Sequence, residues 1–311
     1  MVCYHPLHAY RSISRKENGT VHIAFEWFFG CEEIKLPCGR CVGCRLDRSR
    51  KWAIRCMHEA RMHRDNCFIT LTYDDLKLPV RPEGIPPANL SLYYPDFQKF
   101  MKRLRKHAGV KLRFYMCGEY GTEFGRPHFH ACIFGYDFID RIPFKRSDSG
   151  SIIYRSPSLE KLWTFGFSSV GAFDFKSAAY VARYCMKKVN GELADQYYET
   201  IDPITGEVFW KVPEFNRCSL KPGIGATWFD KYTSDVFPHD RVIVNGKECG
   251  VPRYYDNLYE RSGFDGCYEL NVNIKPRRLE KINLDDNTPD RLLVKEQVAL
   301  ANLSKLKRKI K

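Results

Sequence analysis

The sequence predicts an α+β fold: a central antiparallel sheet with flanking helices, joined to a cysteine-rich N-terminal segment and a C-terminal extension. Three observations carry this expectation. Cys67–Tyr73, Leu112–Cys117, Pro127–Phe134 and Phe167–Phe173 are short apolar or alternating runs that read as strands. Tyr94–His107 places Phe97, Phe100, Met101 and Leu104 at i, i+3, i+4 and i+7, the stripe of a helix that buries one side. The order strand, helix, strand, strand, short helix, strand, helix suits a layer of helices on an antiparallel sheet.

In chain order, residues 1–45 read as irregular, with an aromatic run at Phe25–Phe29 and then a cysteine cluster. A basic helix follows over 46–63, carrying Trp52, Ile54 and Met57. The strand Cys67–Tyr73 alternates Thr70 and Thr72 with apolar residues. A loop with Pro79, Pro82, Pro86 and Pro87 comes next. After the helix Tyr94–His107 come two strands, Leu112–Cys117 and Pro127–Phe134, whose short linker holds Gly121 and Gly125 and predicts a hairpin. The strand Phe167–Phe173 leads into a helix over Phe175–Val189. Residues 192–311 are less regular and contain the loop Ser219–Gly225 and a charged helical tail ending at Lys305–Lys311. Three segments are expected: 1–64, cysteine-rich and basic; 65–191, the core; and 192–311, an extension.

The chain has 311 residues, 44% of them hydrophobic, enough to build a core. Its formal net charge is +13, which favours polyanionic partners. No apolar run approaches the roughly 20 residues of a membrane helix, so nucleic acid is the expected partner and no membrane is expected. Met1–Pro6 has no apolar leader core, which predicts no export. Cys67, Cys117, Cys132 and Cys185 sit inside apolar patterns and read as small buried hydrophobes of a reducing compartment; a cytoplasmic protein is expected. No G-x-x-x-x-G-K-[ST] sequence occurs, so a P-loop motor is not supported.

The chemistry concentrates in Gly118–Gly135. His128 and His130 are separated by one residue on a strand, so their imidazoles share a face. The predicted hairpin brings Glu119 beside them. Two histidines and a carboxylate with open positions suit Mg2+ or Mn2+ coordinating a phosphate; the competing reading is an incidental pair of histidines. In the helix Phe175–Val189, Phe175, Ala178, Ala182, Cys185, Met186 and Val189 cluster on one side, and Tyr180, Tyr184 and Lys187 fall opposite. Tyrosines at i, i+4 project two hydroxyls from one face, about 6 Å apart along the axis. Lys187 and Lys188 lie one turn beyond Tyr184, where ammonium groups favour a phenolate or the charge that builds on phosphate.

Three segments resemble, in order, the rolling-circle motifs of the HUH endonuclease superfamily: Phe68–Asp75; Gly118–Gly121 with Gly125–His130; and Ala178–Lys188. The likeness extends in particular to the replication initiators of Microviridae, the gokushovirus-type single-stranded DNA phages. It covers residues 1–190 and continues more weakly through Pro222–Gly225 and Pro252–Tyr255. The resemblance implies an HUH/RRM-like sheet, with Glu119, His128 and His130 as metal ligands and Tyr180 and Tyr184 as nucleophiles. It implies nicking of single-stranded origin DNA through a 5′-phosphotyrosine, a free 3′-OH primer, and rejoining of the displaced strand. Host helicase and polymerase are the implied partners, in the cytoplasm of a bacterial host. A related transposase or plasmid initiator shares such a site; a non-catalytic RRM-like nucleic-acid-binding module is the reading from a different class.

Cys38, Cys41 and Cys44 form a C-x2-C-x2-C run. Arg48 stands where a ferredoxin-like run would place its fourth cysteine, so a structural Zn2+ is favoured over an iron–sulfur cluster, with free thiols as the competing reading. The resembled phage proteins pair an N-terminal cysteine with this cluster, which implies Cys3 as fourth ligand; Cys31 is the alternative. Basic residues run from Arg40 to Arg64 and from Lys99 to Arg113. Such runs are commonly solvated faces; flanking a nuclease sheet they suit phosphate contacts. Arg40, Arg45, Arg48, Arg126 and Arg183 are the expected DNA-binding residues.

Overall fold

The computed structural model describes residues 3–14, 21–74, 91–121, 125–147, 150–183, 193–202, 206–281 and 285–305. It divides into two compact units, Met1–Arg48 with Asn271–Lys311, and Ser49–Leu270. The proline-rich loop at Pro79–Pro87 and the tail beyond Lys305 lie outside the described residues.

In the first unit, β1 (Leu7–Ser12), β2 (Ile23–Ala24) and β3 (Cys31–Leu36) form a three-stranded antiparallel sheet in the order β2-β1-β3. This corrects the expectation that residues 1–45 are irregular. The strands escape sequence reading because they are mostly polar. Their pairing rests on cross-strand charge, with Arg11 set directly opposite Glu32 and bonded to it, and His8 bonded to Glu33 at 2.8 Å. Helix α1 (Val42–Ala60) starts four residues before the expected position 46, inside the cysteine run itself. The C-terminal helix of this unit covers Pro289–Ser304.

The second unit is built on a seven-stranded antiparallel sheet. In chain order its elements are β4 (Asn66–Tyr73), α2 (Tyr94–Ala108), β5 (Arg113–Tyr120), β6 (Pro127–Phe134), β7 (Ile142–Arg146), β8 (Ile152–Arg155), α3 (Pro157–Leu162), β9 (Gly166–Ala172) and α4 (Phe175–Arg183). Further on come α5 (Leu193–Tyr198), a β10–β11 hairpin (Glu199–Ile201 with Val208–Trp210), β12 (Phe215–Cys218) and α6 (Ala226–Val236). The strand order is β12-β5-β6-β4-β9-β8-β7. The four strands read from sequence form its centre. The β7–β8 hairpin and β12 are additions to that reading: every residue of β7 is exposed, so no burial pattern marks it, and β12 is only four residues long.

The alternation of side chains gives each face of the sheet its own core. One face carries Cys67, Ile69, Leu71 and Tyr73 of β4 with Phe129, Ala131 and Ile133 of β6. The α2 stripe Phe97, Phe100, Met101 and Leu104, all buried, covers it together with Trp163. The other face carries Tyr115 and Cys117 of β5 with Cys132 and Phe134 of β6, under Ala53, Cys56 and Ala60 of α1 and Ala178, Val181 and Ala182 of α4. Cys67, Cys117 and Cys132 are fully buried and unpaired, as small hydrophobes would be; Cys185 lies outside the described residues.

A buried polar hub ties α1 to the loop before α6. The carboxylate of Glu59 accepts from the Arg113 guanidinium, from Gly225 N–H at 2.7 Å, and pairs with His63 Nε2 at 3.1 Å. Arg113 also donates to the Pro222 carbonyl at 2.7 Å, and Arg55 donates to the Ile224 carbonyl at 3.0 Å. Burial alone would raise the Glu59 pKa; the bonds from His63, Gly225 and Arg113 outweigh it and hold the group below the usual carboxylate range. Gly225 fits because its φ is +81° and a Cβ there would meet the Tyr255 hydroxyl at 2.4 Å. Glu59→Gln should leave Arg113 buried without its counter-charge and lower the unfolding free energy by about 3 kcal/mol or more, read as a fall in the urea midpoint at unchanged slope.

Candidate metal centre and nucleic-acid site

The pairing register of β5, β6 and β4 builds the site. Glu119 of β5 lies opposite His128 of β6, and His128 lies opposite Thr72 of β4; one pair further, His130 stands between Cys117 and Thr70. All these side chains share the sheet face that α1 and α4 cover at its other end. Nε2 of His128 lies 2.8 Å and Nε2 of His130 2.7 Å from the same oxygen, Oε1 of Glu119. Glu119 is 1% exposed, so its charge is held by these imidazoles and not by water. Burial would raise its pKa, but the hydrogen bonds and positive character of His128 and His130 bring it down to about 2. The carboxylate is therefore ionised throughout the neutral range.

The partners of the other ring nitrogens set the imidazole orientations. Nδ1–H of His128 donates to the Arg126 carbonyl at 3.0 Å, which directs Nε2 toward Glu119. That same carbonyl accepts from Gly121 N–H at 2.9 Å and so closes the hairpin. Nδ1 of His130 bonds Thr70 Oγ1 at 2.9 Å, and its ring stacks on Phe68 with centroids 5.5 Å apart. Such contacts fix ring orientation at metal sites. Sequence reasoning missed Thr70, Phe68 and the Arg126 carbonyl as supports. The signal for Thr70 was the period-2 alternation of Thr70 and Thr72 on a strand neighbouring the histidines.

Tyr180 of α4 is half-buried, its ring edge-on to His130 at 5.0 Å and to Phe68 at 6.1 Å. The helix is held on both sides of it: Ser49 Oγ donates to the Ala179 carbonyl at 2.9 Å and Asn216 Nδ2 to the Val181 carbonyl at 3.0 Å. Asn216 also donates to the Met116 carbonyl of β5 at 3.2 Å, linking the helix to the strand that carries Glu119. Tyr184, Lys187 and Lys188 lie outside the described residues. Val181, which the helical wheel left out of the core stripe, is buried with Ala178 and Ala182.

A second cluster lies in the first unit. The sulfurs of Cys3, Cys38, Cys41 and Cys44 fall within 4.8 Å of one another. Cys31 lies in β3, outside this cluster. Backbone N–H groups point at the sulfurs: Cys38 N–H at Cys3 (3.2 Å), Arg40 and Cys41 N–H at Cys38 (3.4 and 3.3 Å), and Tyr4 and Cys44 N–H at Cys41 (3.4 and 3.5 Å). Burial works against a thiolate at Cys38, but the N–H groups of Cys41 and Arg40 outweigh it and lower its pKa to about 7. Burial pushes Cys3 and Cys44 up. Both clusters have the donor chemistry of metal sites, oxygen and nitrogen in one and sulfur in the other.

Comparison with known proteins bears on this geometry. A family model for replication-associated proteins of the ORF2 type matches residues 66–189, the stretch from β4 through α4 that holds the first cluster. The replication-associated protein VP4 of Bdellovibrio phage phiMH2K is 31% identical over 287 residues, 88% of this chain and 84% of that protein. The chain belongs to this replication-associated protein family. The family's ORF2 protein of Spiroplasma virus 4 is 32% identical over 257 residues, 80% of this chain and 75% of that one. The replication-associated protein ORF4 of Chlamydia phage 1 is 30% identical over 248 residues, 75% of this chain and 57% of that one. No solved structure matches the chain.

Of the arginines expected to touch DNA, Arg40 and Arg48 are exposed and Arg45 is half-buried, all in the first unit. Arg126 and Arg183, in the second, are half-buried. No described helix of this replication-associated protein is long and apolar enough to cross a membrane. A cation held by Glu119, His128 and His130 binds only the folded state, so Mn2+ should raise the thermal midpoint in a concentration-dependent way. His130→Ala should abolish that dependence; a scanning-calorimetry titration of both proteins checks it.

Proposed function

We propose that this protein is a rolling-circle replication initiator, an HUH-type metal-dependent endonuclease and strand transferase acting on single-stranded origin DNA. The observation that carries this reading is the convergence of both histidine Nε2 atoms on one buried carboxylate, beside a tyrosine ring, in a chain of a replication-associated family. Glu119, His128 and His130 would hold Mg2+ or Mn2+, and the bound cation would supply Lewis-acid polarisation of the scissile phosphate. Thr70, Phe68 and the Arg126 carbonyl keep the imidazoles oriented for that ligand set. Tyr180 or Tyr184 attacks phosphorus in line: the phenolic oxygen forms the new P–O bond, the bond to O3′ breaks, and the departing oxygen takes up a proton as the 3′-OH primer. Lys187 and Lys188 favour the phenolate and the phosphate charge. The phosphotyrosine conserves the bond energy, so the second tyrosine can cut after one round and the strand can be rejoined without nucleotide hydrolysis. Unwinding and extension fall to a host helicase and polymerase, in the cytoplasm of a bacterial host. The nuclease core in this reading is residues 65–191, between the cysteine-rich segment 1–64 and the extension 192–311.

We further propose that Cys3, Cys38, Cys41 and Cys44 hold a structural Zn2+ and that Arg40, Arg45, Arg48, Arg126 and Arg183 contact DNA phosphates. Four sulfurs drawn together under backbone N–H donors support the zinc assignment, since such donors stabilise thiolates. Elemental analysis should find one zinc per chain, lost in Cys41→Ser; zinc-free wild-type protein would refute it.

The decisive test of the nuclease is a covalent adduct. Wild-type protein with Mn2+ and an origin oligonucleotide should shift to a protein–DNA band on a denaturing gel. Tyr180→Phe and Tyr184→Phe should each retain some first cleavage and lose strand closure, and the double variant should form no adduct. An adduct in the double variant would remove both tyrosines from the mechanism.

A further inference from the structure

The ligand row continues across the sheet to a side chain with no role so far. Glu119 lies opposite His128, His128 opposite Thr72, and Thr72 opposite Phe167 of β9. Phe167 therefore stands on the same face as the metal ligands, two strands from His128, or about 10 Å at ordinary strand spacing. It is 59% exposed. Other aromatics of this sheet, Tyr73, Tyr115, Phe129 and Phe134, are buried in one core or the other.

The backbone before Phe167 is specified closely. A Cβ at Gly166 would fall 2.3 Å from Asp74 N and 2.4 Å from the Thr72 carbonyl, so only glycine lets β9 approach β4 here. Close approach at Gly166 fixes Phe167 in register with Thr72. Beyond β9 the same face becomes basic. Tyr154 pairs with Val170 and packs into the α2-side core, so the neighbouring Arg155 projects onto the face of the histidines. Lys145 pairs with Ile153 and shares that side. Both are exposed; Arg155 also pairs with Glu160 at 2.6 Å. From Glu119 outward the face thus reads ligand cluster, threonine, exposed aromatic, then cations. An aromatic platform followed by basic side chains is the arrangement that accommodates unpaired bases and their phosphates, and the chain as a whole carries +13.

We propose that Phe167 is a base-stacking platform that holds a nucleotide adjoining the phosphate at the Glu119–His128–His130 cluster, with Lys145 and Arg155 along the exit path of the strand. This rests on the reading of the protein as a single-strand DNA nickase and adds a specific contact to it. Stacking on Phe167 needs an unpaired base, so the contact selects single-stranded over duplex DNA. It does not touch the reacting atoms; Phe167 is a positioning residue.

The test is fluorescence anisotropy with a labelled single-stranded oligonucleotide of mixed sequence, in EDTA so that no cleavage intervenes, with the matching duplex in parallel. Phe167→Ala should weaken single-strand binding about tenfold and leave duplex binding within about twofold. Phe167→Trp should restore affinity and Phe167→Leu should not, a split that a merely apolar contact would not give. Thermal unfolding of each variant should match wild type, since the side chain is exposed. Wild-type affinity in Phe167→Ala, or equal affinity in the leucine and tryptophan variants, would overturn the proposal. Wild-type protein that binds no single-stranded DNA, or forms no adduct with Mn2+, would instead overturn the nickase reading itself.

Discussion

The pairing register of β6 with its two neighbours is the constraint on which the site depends. A strand presents alternate residues to opposite faces, so a slip of one residue would carry His128 and His130 into the α2-side core and drive Phe129 out. The register is held because both faces of β6 are committed. Phe129, Ala131 and Ile133 pack under α2, while Cys132 and Phe134 continue the histidine row under α1 and α4. The site is the uncovered end of a face whose other end is core. The polar residues Glu119, His128 and His130 are thus positioned by apolar burial elsewhere on their own strands, and the hairpin closed at the Arg126 carbonyl adds the local turn.

A buried carboxylate plays the corresponding part for the helices. Glu59 gathers α1, the start of β5 and the Pro222–Gly225 loop into one ionic network, although these segments lie far apart in sequence. An isolated charge at that depth would be strongly destabilising; three donors make it tolerable and leave little freedom in how the segments can meet. Ser49 and Asn216 then attach α4 to α1 and β5 through backbone carbonyls on either side of Tyr180. The residues that hold the tyrosine helix therefore come from before and after the core stretch 66–189, and the extension contributes directly through β12, which pairs with β5.

What could be read from the sequence follows from the same physics. Period-2 and period-3.6 patterns are local, so the central strands, the α2 stripe and the shared face of His128 and His130 were legible. The hairpin brought in Glu119 because its linker is short. Pairing over long separations leaves no such trace: β12 is four residues of mixed polarity, and nothing local says that it edges β5. The fully exposed β7 has no buried side to betray it, and the β1–β3 sheet pairs through charges that also suit a loop. The residues alone left Cys3 and Cys31 both open as partners of the cysteine run; the choice lies in how the chain folds back, which brings Cys3 to the run and leaves Cys31 in a strand.

The orientation of the two histidines shows how a fold can prepare a ligand set. Each imidazole has one nitrogen occupied by a neighbour that is itself fixed, the Arg126 carbonyl in a hairpin turn and the Thr70 hydroxyl on the next strand. The remaining nitrogens have one common direction, toward Oε1 of Glu119. A cation entering there meets three atoms already converged and need only take over the positions through which the imidazoles hold the carboxylate. Proton and metal compete for the same nitrogens, which ties occupancy of the cluster to pH. The neighbouring β4 supplies Thr70 to the ligands and, through Thr72, the register that sets Phe167 beside them. One strand with alternating threonines thus connects the chemistry of the cluster to the surface on which a nucleic acid strand would lie.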